Sequence, residues 1–199
     1  MKRNYYQKMF NICTLFSILI FLCSASSILF SNSMNSLQSI NYLAFLYQFV
    51  CMLYITNLVI AVVSLFLFLA LIYYEVFLRL KEDSLTNLWK SIYQTFTMRI
   101  FLKQNEHSET VTTIEQAKIT HYNPINKHFN RTIRKTIVDI REAKVTLLIR
   151  IPQTQQATKI LKEMEMLISE EIANRNPDYY FSRPERKGKW LYFTGTKRS

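Results

Sequence analysis

The chain has 199 residues, a formal net charge of +11 and only two glycines, Gly188 and Gly195. So few glycines exclude the loops in which backbone cradles phosphates. With no G-x-x-x-x-G-K-[ST] and no G-x-G-x-x-G present, a nucleotide-driven motor and a dinucleotide-dependent dehydrogenase are ruled out.

The charges are segregated. No Asp, Glu, Lys, Arg or His occurs between Met9 and Tyr74. All 14 acidic residues lie at or after Glu75, and of the 25 Lys and Arg only Lys2, Arg3 and Lys8 precede it. An apolar part joined to a charged part reads as an anchor plus a folded domain. The three cysteines, Cys13, Cys23 and Cys51, all fall in the apolar part without metal-ligand spacing, which leaves the domain no disulfide framework and fits a reducing compartment.

Ile12 to Phe30 is long enough to cross a hydrocarbon core of roughly 30 Å. A second apolar run extends from Tyr42 to Leu80. Its span is expected at Met52 to Tyr74, with Tyr42 to Val50 at the outer interface or beginning the same helix early. A cleaved signal peptide competes for the first segment, with Lys2-Arg3 as its basic end and Cys23 to Ser27 as a small-residue site. Against it, Ile28-Leu29-Phe30 carries the apolar run onward, and Leu22 does not suit a lipoprotein site. The positive-inside bias places the N-terminus inside, the uncharged loop Ser31 to Asn41 outside and the long C-terminal part inside, a two-span cell-membrane protein. Ser24, Ser26 and Ser27 suit a helix–helix interface or a lipid-facing surface equally. Neither span carries a charged residue, which argues against a transporter.

Asp83-Ser84 predicts the cap of a helix reaching about Leu102. Leu85, Leu88, Trp89, Ile92, Phe96 and Ile100 form an apolar face, with Lys90, Gln94, Arg99 and Lys103 on the other side. Two placements remain open. The helix lies in the headgroup plane, with Trp89, Tyr93, Arg79 and Lys81 at the membrane interface, or it packs on the domain or on a partner helix. The polar stretch Gln104 to Thr113 reads as a linker. His107, His121 and His128 follow no ligand spacing and read as surface histidines.

Thr132 to Ile140 and Lys144 to Ile151 are β-branched runs that read as a hairpin closed by Pro152. A helix capped by Thr154 follows, with Ala157, Ile160, Leu161, Met164, Leu167, Ile168 and Ile172 as its core stripe. Lys159, Lys162, Glu163, Glu165, Ser169 and Glu170 sit away from that stripe. Asn174 to Pro177 ends the helix. Asp178 to Phe181 and Lys189 to Thr194 are aromatic strand candidates around the turn Pro184 to Gly188. The fold class is therefore a membrane-anchored α+β protein. A two-helix transmembrane hairpin (1–80) precedes a juxtamembrane amphipathic helix (81–103), a linker (104–125) and a small strand-strand-helix-strand-strand domain (126–199).

Arg134, Arg150, Tyr192 and Tyr180 are candidates for one open sheet surface, a pattern that resembles nucleic-acid platforms. Arg183, Arg186, Lys187, Lys189, Lys197 and Arg198 make a basic turn and tail. With Arg131, Arg134 and Lys135 they are the candidate contacts to nucleic acid or to a protein partner, against a solvated surface or an anionic-lipid contact. No nucleophile motif, metal set or converging carboxylate pair is legible, so no enzyme activity, cofactor or small-molecule substrate is expected.

The two spans, the strand V-T-L-L-I-R-I-P (Val145 to Pro152), the helix after it and the paired strands ending at Thr194 resemble the N-terminal part of FtsK-type DNA translocases. They also resemble the conjugative coupling proteins of Gram-positive mobile elements. In that family the domain precedes an ATPase motor, which would begin beyond Ser199. The resemblance implies an accessory or anchor protein of DNA transfer or plasmid maintenance, with membrane lipid, a membrane-associated protein complex and nucleic acid as its partners.

Overall fold

The computed structural model describes residues 3–38, 41–106, 111–112, 118–119 and 122–198. The chain divides into two compact units, Asn4–Leu78 and a second that starts at Arg79 and takes in Arg3.

The first unit is helical. α1 covers Tyr5–Gln38 and α2 covers Ala44–Glu82, both long and apolar enough to cross a membrane. The expected loop from Ser31 is shorter than predicted, because α1 continues to Gln38 and a single 3-10 turn, Asn41–Leu43, precedes α2. Serine tolerates the helix there by bonding back one turn: Ser33 Oγ donates to Leu29 O (2.9 Å) and Ser36 Oγ to Asn32 O (3.1 Å). Tyr42 to Val50 accordingly lead into the second helix, the second of the two placements weighed for them.

α1 and α2 are joined by a polar clasp. Asn57 Nδ2 donates to Cys23 O (2.9 Å) and Ser27 Oγ (2.7 Å), and Ser26 Oγ donates to Asn57 Oδ1 (3.0 Å). Ser26 and Ser27 therefore sit at a helix interface. Ser24 is exposed and bonds its own helix at Ile20 O.

The second unit opens with α3, Leu85–Phe101, capped by Ser84, whose side chain accepts from Thr86 N. The short strands β1 (Val111–Thr112) and β2 (Lys118–Ile119) pair antiparallel inside the stretch expected as linker. Helix α4, Pro124–Ile133, then occupies residues read as linker and as the start of a strand. The β-branched Thr132 and Ile133 are overridden by a strong helix start. Asn123 accepts from Ile125 N and Asn126 N, and Pro124 stands in the first turn. Ile125, Phe129 and Ile133, one helical turn apart, then meet the core. Residues 104–106 are tied down rather than free: Gln104 N donates to Asn130 Oδ1 (2.8 Å) and Asn130 Nδ2 returns to Gln104 O (2.7 Å).

The sheet is antiparallel. β3 (Ile137–Ile140), β4 (Lys144–Arg150), β7 (Trp190–Lys197) and β5 (Tyr179–Phe181) follow in that order, and β6 (Glu185–Lys187) also pairs with β7. β6 occupies most of the segment expected as a turn. The turn itself is Gly188-Lys189, where Gly188 has φ +62, a conformation that costs other residues about 1–2 kcal/mol.

The single helix expected after β4 is two, α5 (Gln155–Glu163) and α6 (Glu165–Arg175), and Thr154 makes no side-chain cap bond. Ala157, Leu161, Ile168 and Ile172 are buried, whereas Leu167, expected in the same stripe, is exposed. On the wheel of α6 Leu167 lies about 100° from Ile168 and about 140° from Ile172, outside the buried sector. α4, α5 and α6 bring these residues onto Val138, Ile140, Val145, Leu147, Ile149, Leu191 and Phe193, which form the core. Phe181 reaches it beside Gly195, where a Cβ would stand 2.9 Å from the ring.

Candidate interaction surfaces

Three features of the second unit are built from polar and charged side chains. The first is a buried ion cluster. Arg79 has no exposed surface. Its guanidinium donates to Asp139 Oδ1 (2.7 Å), to Asp83 and to the carbonyl of Ile140 (2.6 Å). Asp83 also accepts from Asn87 Nδ2 (2.7 Å) and from Glu142 N (3.1 Å). Burial pushes the Asp83 carboxyl up, but the hydrogen bonds from Asn87, Arg79 and the Ser84 backbone, with the Arg79 charge, outweigh this and hold it below the usual carboxylate range. Arg79 was expected at the membrane interface from its position beside the second span. A fully buried guanidinium with two carboxylates and a carbonyl has no surface left for headgroups, so that placement is corrected. Lys81 is exposed.

The second feature is the edge of the sheet at β3. Val138 N donates to Thr95 Oγ1 (3.0 Å) and Ile140 N to Ser91 Oγ (2.8 Å). These hydroxyls donate in turn to the carbonyls of Ser91 and Asn87 (both 2.7 Å), one helical turn back. Arg99 Nε donates to Thr136 O (2.9 Å). Ser91, Thr95 and Arg99 stand about 6 Å apart along α3, close to the roughly 6.8 Å between alternate strand residues. α3 thus takes the place of a neighbouring strand and covers an edge that would otherwise invite pairing. Its polar side is the side against the sheet. Leu85, Trp89, Tyr93, Phe96 and Ile100 are exposed.

The third feature is a basic cleft at one end of the sheet. Arg150 ends β4 opposite Trp190 on β7, and Lys187 of β6 lies opposite Trp190 on its other side. The three share a face because paired residues point the same way. Ile151 N donates to Lys189 O (2.9 Å), holding the β6–β7 turn at this end. From the opposite flank α4 contributes Arg131 and the loop after it Lys135. Together with His128, Thr132, Arg150, Ile151 and Gln153 they line a cleft of about 290 Å³. No acidic residue lines it. Among the described residues His128 Nε2 is buried without a hydrogen-bond partner. Arg134 caps α4 and lines a smaller adjoining hollow with Arg99 and Lys103.

The candidate contacts therefore fall in three places. Arg131 and Lys135 line the cleft with Arg150, which the charge runs alone do not single out, while Lys187 and Lys189 lie at the same end of the sheet, beyond Trp190. Arg183 and Arg186 are exposed along β6 and the approach to it. Lys187 is itself paired with Glu185 (2.6 Å) on the surface. Lys197 and Arg198 lie at the other end of β7. There Lys197 N donates to Ala143 O and Arg198 N to Asp178 O, and Lys197 Nζ faces Glu142 at 3.6 Å.

The expected open platform is not formed. Arg134 is in no strand, Tyr192 is buried, and the exposed Tyr180 pairs with Thr196 at the far end from Arg150. The alternation of β4 and β7 carries Leu148 and Tyr192 onto the same face as Arg150, and both are buried. His107 and His121 lie outside the described residues.

No family model matches the chain, no curated protein matches it, and no solved structure matches it.

Proposed function

We propose that this chain is a non-enzymatic, membrane-anchored interaction module: α1 and α2 cross the cell membrane as a hairpin, and the α+β unit works on the cytoplasmic side as a docking platform. The observation that carries this reading is a pair of helices of 34 and 39 residues, each with an 18-residue apolar window of which only 6% is buried, a composition that suits an apolar solvent. Lys2 and Arg3 before α1, Lys8 in its first turn and Lys81 in the last turn of α2 support an inside–outside–inside path with an uncleaved first helix. The partner is a protein complex at the membrane, and the resemblance in Val145 to Pro152 and the following elements favours one that moves DNA in conjugation or plasmid maintenance. Affinity purification of the full chain from detergent-solubilised membranes tests this. A reproducible protein partner that is lost when the surface is mutated supports the reading, and recovery of the chain alone contradicts it.

The cleft favours a second reading, in which the module also touches nucleic acid. Arg131, Lys135 and Arg150 take part in no ion pair among the described residues, so their charge remains available to phosphates. Each phosphate neutralised contributes a slope of about −0.9 to log K against log salt on duplex DNA. The full chain in nanodiscs should bind duplex or single-stranded DNA at low salt and release it steeply as salt rises. Arg131→Ala with Lys135→Ala should weaken binding and flatten that slope. No binding at low salt removes this reading.

A further inference from the structure

α3 presents its two faces the wrong way round for a helix of a soluble domain. Ser91 and Thr95 are fully buried against the sheet edge, Gln94 is nearly buried and bonds Asn176 at the end of α6, and Met98 is the one apolar residue of α3 that is fully buried. Leu85, Trp89, Tyr93, Phe96 and Ile100 recur every three or four residues and fall within about 80° of the helix circumference. They are 45%, 72%, 61%, 46% and 73% exposed. The polar side is occupied by capping the β3 edge, so the apolar side has to find its own cover. A contiguous exposed stripe of this kind marks a docking surface.

The surrounding chemistry selects the occupant. Only Asp83 and Ser84 separate α3 from α2, so the stripe follows directly on the helix proposed to cross the membrane. Trp and Tyr are the residues that settle at headgroup depth, with an apolar body and a polar tip. Lys81, Lys90 and Lys103, all exposed, border the stripe at its start, side and end. Lysine is depleted where proteins meet proteins, and it is drawn to the anionic headgroups of the cytoplasmic leaflet.

We propose that α3 lies along the cytoplasmic leaflet of the membrane that α2 crosses, with Leu85, Trp89, Tyr93, Phe96 and Ile100 sunk to the headgroup–acyl boundary. The same helix then caps the sheet on one side and rests on lipid on the other, holding the domain at the surface. This inference rests on the anchoring reading above.

Trp89 and Trp190 are the two tryptophans of the chain, which makes fluorescence a direct test. The full-length protein with Trp190→Phe is placed at one copy per nanodisc of anionic lipid, brominated near the headgroup end of the acyl chain. Subtracting Trp89→Phe from the wild-type signal yields the same quantity without touching Trp190. Trp89 emission should be blue-shifted, largely lost in brominated relative to plain lipid, and protected from aqueous acrylamide. Emission indifferent to bromine overturns the inference. If acrylamide then quenches it, the stripe is solvated; if acrylamide does not, protein covers it. A reporter in α2, Phe66→Trp with both native tryptophans changed to Phe and read in lipid brominated deep in the acyl chain, separates the two levels. Its quenching with Trp89 silent sinks this inference alone, and its own failure to quench sinks the anchoring as well.

Discussion

The Arg79 guanidinium donates to Asp139 Oδ1 across 2.7 Å, and neither side chain is appreciably exposed. The contact joins the last turn of α2 to the edge strand of the sheet, within one compact unit. Breaking a buried pair by removing one partner costs about 3–5 kcal/mol, because the remaining charge has no solvent. Arg79→Ala takes the guanidinium from two buried carboxylates, Asp83 and Asp139, whereas Asp139→Asn leaves Arg79 its bond to Asp83. The first substitution should therefore lower the melting temperature of the α+β unit well beyond the second. Equal effects would show that the cluster is not the joint described.

The same cluster predicts an acid limb. The Asp83 carboxyl is held below its ordinary range in the folded chain. A depressed folded value means that the stabilisation is fully present above the unfolded value of about 3.9 and is lost as pH falls through the folded value. Stability measured from neutral pH downward should hold to about pH 4 and then decline. Asp83→Asn should be less stable at neutral pH and should flatten that decline. An unchanged acid limb in Asp83→Asn would assign the titration to other groups.

Capping of the β3 edge by α3 has its own signature. Thr95→Val keeps the shape of the side chain and removes the oxygen that accepts from Val138 N; Ser91→Ala does the same to Ile140 N. Leaving a buried N–H unpaired costs about 1–3 kcal/mol. Hydrogen exchange of the Val138 and Ile140 amides should accelerate in the matching variant, with each substitution exposing its own partner first. Acceleration spread evenly over the sheet would indicate global loosening instead.

Between α1 and α2 the Asn57 amide is the counterpart of these caps. Interhelical polar contacts in lipid contribute about 0.6–2 kcal/mol. Asn57→Leu should weaken the α1–α2 hairpin by that order, read as increased separation of fluorophores on the two helices in mild detergent. Ser24→Ala, at an exposed position, should change nothing.

Legibility in the sequence followed the strength of the physical signal. Charge segregation located both apolar helices, and Ser84 with its periodic apolar residues located α3 to within a residue. Runs such as Val145 to Ile149 gave the central strand, since burial on both faces of β4 needs nearly continuous apolar residues. What escaped were signals that compete locally. Thr132-Ile133 carries β propensity but lies inside a helix started by Asn123-Pro124. Pro184 to Gly188 has turn composition, yet Glu185 to Lys187 pair with Trp190 to Tyr192. The sequence pattern places Arg150 only on an open platform, because the cleft forms where α4 meets the end of β4 and the residues after it, and no local pattern encodes that meeting. Arg79 resembled an ordinary basic flank for the same reason: its partners Asp139 and Ile140 lie some 60 positions away.

On the proposed path the chain crosses a membrane twice and returns to the cytoplasm. Cysteine labelling of intact cells tests it most directly, with Cys13, Cys23 and Cys51 replaced by Ala and a single cysteine introduced as Tyr42→Cys or Ser199→Cys. Tyr42, 89% exposed between the two helices, should react with a membrane-impermeant maleimide from outside. Ser199→Cys should react only after the cells are opened, and the intact mass should include the first helix. Labelling of Ser199→Cys in unopened cells, or silence of Tyr42→Cys there, would contradict the account.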